Sequence, residues 1–355
     1  MAAQATCVVM AGGRGERLWP LVRAGVPKAC ASIDGKRTLL EATLERIQPL
    51  SGLGRVLIVT TQTQVRPIQR ILPQAFRRCL LVEPEPKNTA ACLTLAASAL
   101  AHRDLRSVMV VLPADQWVRP TTAFRRSLRA AIRVAGDTGR IVTIGVRPRR
   151  IHPGLGYLCV ASRVGRYAGC RVFRLSRMVE KPSPQVAQRL IRYRSTYWNT
   201  GIFVGQVRTF VQLVQRWLPD HARRILPLGA SVGHPSFARR AAAAYRGLRP
   251  VSFDNGVMVH IRDGYVVEGG FDWEDLGSWD SWVRMSRATS PALAVAGGRV
   301  RVVSADGHLV TTAGLEDVIV VHTPDATLVC RADATQSVRD VVVQLSRDPR
   351  LSRYL

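Results

Sequence analysis

The chain has 355 residues, 47% of them apolar and 21% charged, which is enough for one large or two modest domains with a sizeable core and argues against global disorder. Its longest apolar run, residues 90–101, is too short to cross a bilayer, and no basic leader precedes an apolar stretch at the N-terminus, so we expect a cytoplasmic protein without a membrane span. The formal net charge of +26 would suit a nucleic-acid partner, but the basic residues are dispersed and no aromatic residues alternate with them, which favours compositional bias and no nucleic-acid binding.

Lysine and cysteine usage narrows the search for functional residues. Only four of the 51 basic residues are lysines, namely Lys28, Lys36, Lys87 and Lys181, so each lysine is more informative than an arginine. The seven cysteines are scattered and form no C-x-x-C pair, which argues against a zinc or redox motif. We expect unpaired thiols in a reducing compartment.

Apolar runs alternate with amphipathic segments over the first 150 residues. The predicted strands are 6–10, 55–60, 79–82, 107–112 and 141–146, and the predicted helices are 38–50, 65–76, 88–101 and 121–135. Continuous β-branched strands that alternate with helices predict an α/β fold with a Rossmann-like mixed, mostly parallel sheet flanked by helices. Such sheets bind their ligands beyond the carboxyl ends of the strands.

The pattern is mixed in the middle of the chain and β-rich at its end. The middle contains predicted strands at 156–162, 170–179 and 265–268 and predicted helices at 183–194, 209–217 and 235–245. No linker composition interrupts this region, so we assign residues 1–288 to one domain. Short β-rich runs at 299–303, 308–312, 318–322 and 327–330 precede a predicted helix at 334–345. They predict a small C-terminal β-rich domain over residues 289–355, and this tail is a candidate surface for a homo-oligomer.

A glycine-rich turn follows the first strand. Gly12, Gly13 and Gly15 allow the backbone to approach a ligand, and successive N–H groups can cradle phosphate. The segment is neither a P-loop nor G-x-G-x-x-G, so a plain tight turn is the alternative. Arg17 and Lys28 follow it, and two cations after a glycine loop suit a triphosphate, whose charge exceeds what one side chain can neutralise.

Three further positions each have a functional and a structural interpretation. Asp115 ends an apolar strand at the sheet edge where ligands bind, but it could also cap a turn. Asn88 could contact a ligand or serve as the N-cap of the Ala-rich helix that follows it. Glu180 and Lys181 could form a solvated surface pair, although the scarcity of lysine favours a binding role.

In their order along the chain, these motifs resemble those of the sugar-1-phosphate nucleotidyltransferases. The resemblance rests on residues 12–21 with 27–28, then 83–90, 112–115, 156–157, 179–182, 198–203, 273–279 and 314–330. The Leu18-Trp19-Pro20 form is similar to the mannose-1-phosphate guanylyltransferase branch. The resemblance implies transfer of GMP from GTP to α-D-mannose 1-phosphate with Mg²⁺ as cofactor, giving GDP-mannose and pyrophosphate. Such a reaction joins two polyanions, so positioning and charge neutralisation dominate its catalysis.

The resemblance also implies a role for each matching residue. Arg17 and Lys28 would hold the triphosphate, Lys181 the sugar phosphate, Asp115 and Asp275 the metal, Gly156, Glu180 and Asn199 the sugar, and Gly12, Gly13, Gly15, Glu83, Asn88 and Thr89 the nucleotide. Because Asp272 and Glu274 lie beside Asp275, the carboxylate that accompanies Asp115 stays open at this stage.

Several positions depart from the family pattern. Ala29-Cys30-Ala31 follows Lys28, Val22 replaces a serine, Lys87 replaces an arginine, Asn255 replaces a tyrosine, and residues 149–155 lack Thr-Gly-Tyr-Gly. The departures lie where the sugar and base would be recognised. They leave two alternatives open, a transferase for another sugar 1-phosphate or nucleoside triphosphate and a non-catalytic nucleotide-sugar sensor of the same fold.

Overall fold

The computed structural model describes residues 5–23, 25–51, 55–286, 292–295 and 298–355. Up to residue 286 the strands are β1 (Ala5–Met10), β2 (Val56–Thr61), β3 (Leu80–Glu83), β4 (Val108–Pro113), β5 (Gln116–Arg119), β6 (Val142–Val146), β7 (Tyr157–Tyr167), β8 (Cys170–Val179), β9 (Thr196–Gln206), β10 (Tyr265–Glu268) and β11 (Asp272–Asp275). The helices of this part are α1 (Leu39–Ser51), α2 (Val65–Ile71), α3 (Asn88–Ala101), α4 (Thr121–Thr138), α5 (Pro184–Ile191), α6 (Val207–Trp217), α7 (Pro219–Ile225), α8 (Phe237–Tyr245), α9 (Phe253–Gly256) and α10 (Trp279–Met285).

One large twisted sheet organises this part in the order β3-β2-β1-β4-β9-β6-β10-β8-β7. Strands β3, β2, β1 and β4 run parallel, as alternation with helices requires. Strand β9 lies antiparallel between β4 and β6, and β10 pairs parallel with β6 and antiparallel with β8. Separately, β5 and β11 form a two-stranded antiparallel ribbon. The predicted α/β class is confirmed.

Helices cover both faces of the sheet because its central strands are apolar on both sides. Val9 of β1 packs in a core with residues of α1 and α4, whereas the adjacent Val8 packs in a second core with residues of α3 and α6. Successive side chains of a strand point to opposite faces, so a continuous apolar run such as β1 needs a cover on each side. The carboxyl ends of β1 and β4 are thereby left open for the loops of the site.

Several elements differ from the prediction made on the sequence, and the following are the largest differences. Strand β9 and the β5–β11 ribbon were not predicted, because β9 is buried along nearly its whole length and mixes Asn199 and Thr200 with apolar residues, so it shows no strand period. The predicted helix 65–76 ends at Ile71, since Pro73 follows and a 3₁₀ turn continues the chain.

The C-terminal part consists of β12 (Ala292–Val295), β13 (Val300–Ser304), β14 (Val310–Ala313), β15 (Val318–Thr323), β16 (Ala326–Arg331) and α11 (Val338–Arg347). Strands β13 and β15 pair parallel, β15 and β16 antiparallel, and β12 and β14 parallel. The predicted β-rich C-terminal domain is therefore confirmed, while the predicted boundary after residue 288 lies outside the described residues. Across the described part of the chain, no helix is long and apolar enough to span a membrane.

A third core joins this domain to the glycine-rich loop. It contains Leu18 and Trp19 of the loop, Trp279 of α10, and Ile319 and Val321 of β15. The indole nitrogen of Trp279 donates to the carbonyl of Trp19 at 2.9 Å. The β-rich domain therefore stabilises the loop that follows β1.

Candidate functional site

The glycine-rich loop lies at the carboxyl end of β1 with a backbone that requires glycine at one position. Gly15 has φ 67°, and a Cβ there would lie 2.8 Å from both the Lys28 Cβ and the Val22 Cγ1. Any larger residue would be strained and would displace Lys28. The Gln64 side-chain amide donates to the Gly13 carbonyl at 3.2 Å, which ties the loop to the end of β2.

Lys28 lies buried below this loop between two carboxylates. Its Nζ is 2.8 Å from Asp115 Oδ2 and 3.5 Å from Asp275 Oδ1. Burial alone would lower the pKa of Lys28, but attraction by Asp115 and Asp275 and the hydrogen bond to Asp115 outweigh it, so the pKa is raised. Lys28 is therefore a fixed cation, held by two acidic residues that are far apart in the sequence.

The β5–β11 ribbon explains how two distant carboxylates meet. Asp115 lies in the two-residue turn between β4 and β5, and Gln116, the next residue, pairs with Asp275 in the antiparallel register. The neighbouring acidic residues have other partners, since Glu274 pairs with Arg150 and Arg284, and Asp272 pairs with Arg149. Of the three acidic residues in β11, Asp275 is thus the one that lies beside Lys28.

Arg17 connects the site to the C-terminal domain. Its Nη1 donates to Gln336 Oε1 at 2.7 Å, and a Cβ on Gly277 would lie 3.2 Å from its Nη2. The adjacent Glu16 is 3.4 Å from an Arg339 guanidinium nitrogen. Arg17 is therefore beside the Asp275 turn, on the same side of the loop as Lys28.

Glu83 lies beneath the loop as a buried carboxyl. Its Oε1 accepts a hydrogen bond from the Tyr245 hydroxyl at 3.1 Å, and its Oε2 is 3.8 Å from where a Cβ on Gly12 would lie. Burial raises the pKa of Glu83 to about 8, although the Tyr245 hydrogen bond opposes the shift. At neutral pH the group is therefore mostly protonated, which makes it a donor as well as an acceptor.

We expect the Glu83→Gln variant to fold with a weaker dependence of stability on pH than the parent protein. The folded state keeps the Glu83 proton up to about pH 8, whereas the unfolded chain releases it near the ordinary pKa of 4.5. The free energy of unfolding therefore falls as pH rises between these values, and glutamine removes that component. Urea unfolding at pH 5 and pH 8 measures it, with the exposed Glu316→Gln as control; an unchanged slope in Glu83→Gln would contradict the assignment.

Asn88 and Thr89 make contacts that organise the backbone. Asn88 is exposed, has φ 65°, and its Oδ1 accepts from the Thr89 amide at 2.8 Å, which satisfies a donor of the first turn of α3. The Thr89 hydroxyl accepts from the Phe253 amide at 2.8 Å. Lys87 occupies the N-cap position of α3 and Asn88 is its first helical residue, so the predicted N-cap role of Asn88 is not confirmed. The Thr89 contact fixes the start of α9.

Residues that the sequence places far apart form a second polar cluster. The Asn199 amide donates to Asp254 Oδ1 at 2.7 Å, while its Oδ1 accepts from the Thr143 hydroxyl at 3.2 Å. A Cβ on Gly156 would lie 2.5 Å from Glu180 Oε2 and 3.3 Å from the Asn199 Cβ. Predicted residues Gly156, Glu180 and Asn199 are therefore adjacent, and Asp254 joins them.

The carboxyls of this cluster hold protons more tightly than usual. Burial, followed by repulsion from Asp254, raises the pKa of Glu180 to about 7 even though Lys181 opposes it, and burial raises the pKa of Asp254 as well. A mixture of protonated and ionised carboxyls next to an amide offers both donors and acceptors, which is what vicinal hydroxyl groups need. The sequence prediction did not include Asp254 among the site residues, although it lies in the Ser252–Asn255 segment that resembled a family motif.

Lys181 lies at the rim of the second cluster. Its side chain is 66% exposed, its Nζ is 3.8 Å from Glu180 Oε1, and its φ is 45°. A non-glycine residue in this left-handed conformation carries strain that the surrounding structure must hold, and such positions concentrate at functional sites. The ammonium group of Lys181 is thus exposed and available to an incoming anion.

Two of the positions at which the sequence departs from the family pattern have a structural role. Ala29 packs in the first core beside α1, and Ala31 packs in the third core beside Leu39. Both are buried, so they do not face an open site. Asn255 is exposed, and its backbone amide donates to the Ser252 hydroxyl at 3.1 Å.

Comparison with known proteins gives matches over nearly the whole chain. The family model described as "Nucleotidyl transferase" matches residues 6–292, and that described as "MannoseP isomerase/GMP-like beta-helix domain" matches residues 298–345. The chain is 31% identical to the mannose-1-phosphate guanylyltransferase ManC of Salmonella typhimurium (strain LT2), over 98% of this chain and 74% of that protein. A mannose-1-phosphate guanylyltransferase of Escherichia coli (strain K12) is also 31% identical, over 97% of this chain and 74% of its own length.

Among solved structures, a crystal structure from Thermus thermophilus described as a mannose-1-phosphate geranyltransferase superimposes with a TM-score of 0.80. It is 34% identical, and the match covers 97% of this chain and 99% of that one. The correspondence therefore includes both the sheet domain and the β-rich domain.

Proposed function

The chain belongs to the nucleotidyl transferase family, and we propose that it transfers GMP from GTP to α-D-mannose 1-phosphate, giving GDP-mannose and pyrophosphate. The observation that carries the proposal is the convergence of Lys28, Asp115 and Asp275 under the glycine-rich loop. Relatives that are 31% identical are named mannose-1-phosphate guanylyltransferase, which supports mannose as the sugar and guanine as the base. The packed, buried environment of Ala29 and Ala31 supports a catalytic protein over a sensor, because these departures alter the core and leave the charged groups in place.

The reaction follows from what the chain's cations and carboxylates can hold. A phosphate oxygen of mannose 1-phosphate attacks the α-phosphorus of GTP in line, the bond from that phosphorus to the bridging oxygen of the β-phosphate breaks, and pyrophosphate leaves. The glycine-rich loop presents backbone N–H groups to the triphosphate, and Arg17 and Lys28 neutralise its charge. Lys28 is held in place before substrate arrives, so it loses little order in the transition state.

Asp115 and Asp275 fit a divalent metal. Each carboxylate presents an oxygen within 3.5 Å of the Lys28 ammonium, so the pair could hold a divalent ion beside Lys28, and carboxylate oxygens are hard ligands of the kind Mg²⁺ prefers together with substrate phosphates. When bound there, Mg²⁺ supplies charge neutralisation at the α-phosphate. We therefore propose Mg²⁺ as the cofactor and these two residues as its protein ligands.

The second cluster would hold the sugar phosphate. Glu180, Asp254 and Asn199 present carboxyl and amide groups to the mannose hydroxyls, and the exposed Lys181 ammonium pairs with the phosphate at the rim. A site built of buried polar groups discriminates strongly, because a sugar that lacks a matching hydroxyl leaves those groups unpaired.

Pyrophosphate release tests the proposed function directly. Purified protein with Mg²⁺ is offered each of four nucleoside triphosphates with mannose, glucose, N-acetylglucosamine and heptose 1-phosphates. We expect one strong signal, at GTP with mannose 1-phosphate. A strong signal elsewhere would overturn the specificity but keep the reaction, while folded, nucleotide-binding protein without any release would favour the sensor.

Gly156→Ala tests the sugar side separately. The added Cβ would lie 2.5 Å from Glu180 Oε2, so the carboxyl must move out of the cluster. We expect the KM for mannose 1-phosphate to rise by about tenfold or more, corresponding to roughly 1.4 kcal/mol, while the KM for GTP stays within twofold. Gly165→Ala, on strand β7 with nothing within 4 Å of its Cβ, is the matched control. Equal effects on both substrates would contradict a separate sugar subsite.

A further inference from the structure

A second group of metal-ligating side chains lies in the C-terminal domain, outside the site described above. It consists of Asp306 and His308 in the turn between β13 and β14, and His322 on β15. Ser304 is paired with His322 in the β13–β15 register, and the Ala305 amide donates to the His322 carbonyl at 2.9 Å. The backbone therefore brings the turn against β15.

The three side chains offer one ligand atom each within a small volume. These atoms all lie within 4.8 Å of one another, and His322 Nε2 is 3.5 Å from Asp306 Oδ2. The two imidazole rings are stacked, with centroids 4.6 Å apart and planes inclined by 29°. Imidazole nitrogen is the commonest protein ligand for transition metals. An ion pair between Asp306 and His322 would not need His308, so the presence of both histidines favours a metal site over an ion pair.

Two of these ligands also have an outer partner that orients them. The Thr327 hydroxyl is 3.0 Å from His322 Nδ1 and can accept a hydrogen bond from its N–H in the tautomer that leaves the Nε2 lone pair directed at Asp306. Asp306 Oδ1 accepts from the Ser304 hydroxyl at 2.9 Å and from the His308 amide at 3.1 Å, so Oδ2 remains for another contact. Such outer contacts are a general feature of metal centres.

From this arrangement we propose that Asp306, His308 and His322 bind a borderline divalent transition-metal ion of the Zn²⁺ type. Two imidazole nitrogens and one carboxylate oxygen match zinc, with water at the fourth position, whereas Mg²⁺ prefers oxygen ligands throughout. The ion links the β13–β14 turn to β15 and so stabilises the β-rich domain. The site is independent of the proposed transferase reaction, since it shares no residue with the Lys28 cluster.

Calorimetric titration of Zn²⁺ into the chelator-treated full-length protein, without nucleotide, tests the proposal. We run it in the Asp115→Asn background, so that the first cluster contributes less to binding. We expect His322→Gln and His308→Gln to weaken binding at least tenfold, and Thr327→Val to weaken it by about tenfold through the lost outer contact. His234→Gln, which alters an exposed histidine on another loop, is the matched control and should bind like the parent.

Thermal unfolding gives a second readout that does not depend on activity. Zn²⁺ should raise the Tm of the parent and of His234→Gln, because a ligand that binds only the folded state stabilises it. It should raise the Tm of His308→Gln clearly less, and this substitution in an exposed turn keeps the test informative if His322→Gln does not fold. Equal affinity and equal Tm shifts in all variants would overturn the proposal.

Discussion

The Asp115→Asn variant is expected to fold and bind GTP while losing about 10³-fold in kcat, the scale of several kcal/mol of transition-state stabilisation. Asp115 both pairs with Lys28 at 2.8 Å and supplies one of the two carboxylates that converge on that point. An amide keeps the shape and one oxygen, but it removes the negative charge that would hold a divalent cation against the α-phosphate. Pyrophosphate release at saturating GTP and mannose 1-phosphate measures the loss.

The expected loss of turnover in Asp115→Asn can be checked against a control variant, Asp137→Asn. Asp137 lies on the exposed surface of α4, where it pairs with Arg133 at 3.7 Å, so Asp137→Asn should turn over like the parent. Circular dichroism and the binding of GTP would show that Asp115→Asn remains folded. Turnover within a few-fold of the parent in folded Asp115→Asn would exclude this carboxylate from the proposed metal pair. Raising the Mg²⁺ concentration should restore part of the activity, because the remaining Asp275 carboxylate still offers a ligand.

Some site residues could be predicted because a short stretch of sequence around each of them has a recognisable pattern. Lys28 comes soon after the glycine-rich loop, and Asp115 lies in the turn after an apolar strand, so each could be recognised from its own neighbourhood. The parallel half of the sheet was predictable for the same reason, since its strands are continuous apolar runs between helices. These are short-range patterns, and the α/β class requires little beyond them.

The family resemblance named Asn199, but where Asn199 lies in the fold depends on pairing between distant segments. Asn199 reaches the second cluster because β9 inserts antiparallel between β4 and β6, with Asn199 in register with Gly145. Nothing in the local pattern of β9 indicates that position, because buried polar residues interrupt its period. Asp254 of α9 accepts a hydrogen bond from Asn199. The Thr89 hydroxyl fixes the start of α9 by accepting from the Phe253 amide. Register and loop anchoring of this kind are properties of the assembled fold.

Contacts between the two domains were likewise beyond the sequence patterns. Arg17 pairs with Gln336, a residue 319 positions away, and Arg23 pairs with Asp325 at 2.6 Å. Both arginines belong to the loop region after β1, and both partners belong to the β-rich domain. With so many arginines in the chain, composition alone could not single out these two. The C-terminal domain therefore acts on the site by positioning the loop that carries Arg17.

Lys28→Met is expected to have two opposite effects, which together test the role of the buried ammonium. Methionine keeps the length and burial of the side chain but removes its charge, so kcat should fall by roughly 10²–10³-fold, as for loss of a preorganised electrostatic contact. In the same variant, nucleotide-free protein should bind Mn²⁺ at least tenfold more tightly than the parent. Asp115 and Asp275 lose their cation, and a divalent ion relieves their mutual repulsion.

Measuring both quantities separates this account from a merely structural role. Mn²⁺ binding is followed by electron paramagnetic resonance on protein without substrates, and turnover by pyrophosphate release with Mg²⁺. Lys36→Met, which changes an exposed lysine in the loop before α1, should leave both unchanged. If Lys28 were only a packing residue, Lys28→Met would keep that packing and would leave metal binding and turnover nearly unchanged. A rise in affinity for the ion alongside a loss of turnover means that the ammonium holds the two carboxylates in place until substrate and metal bind.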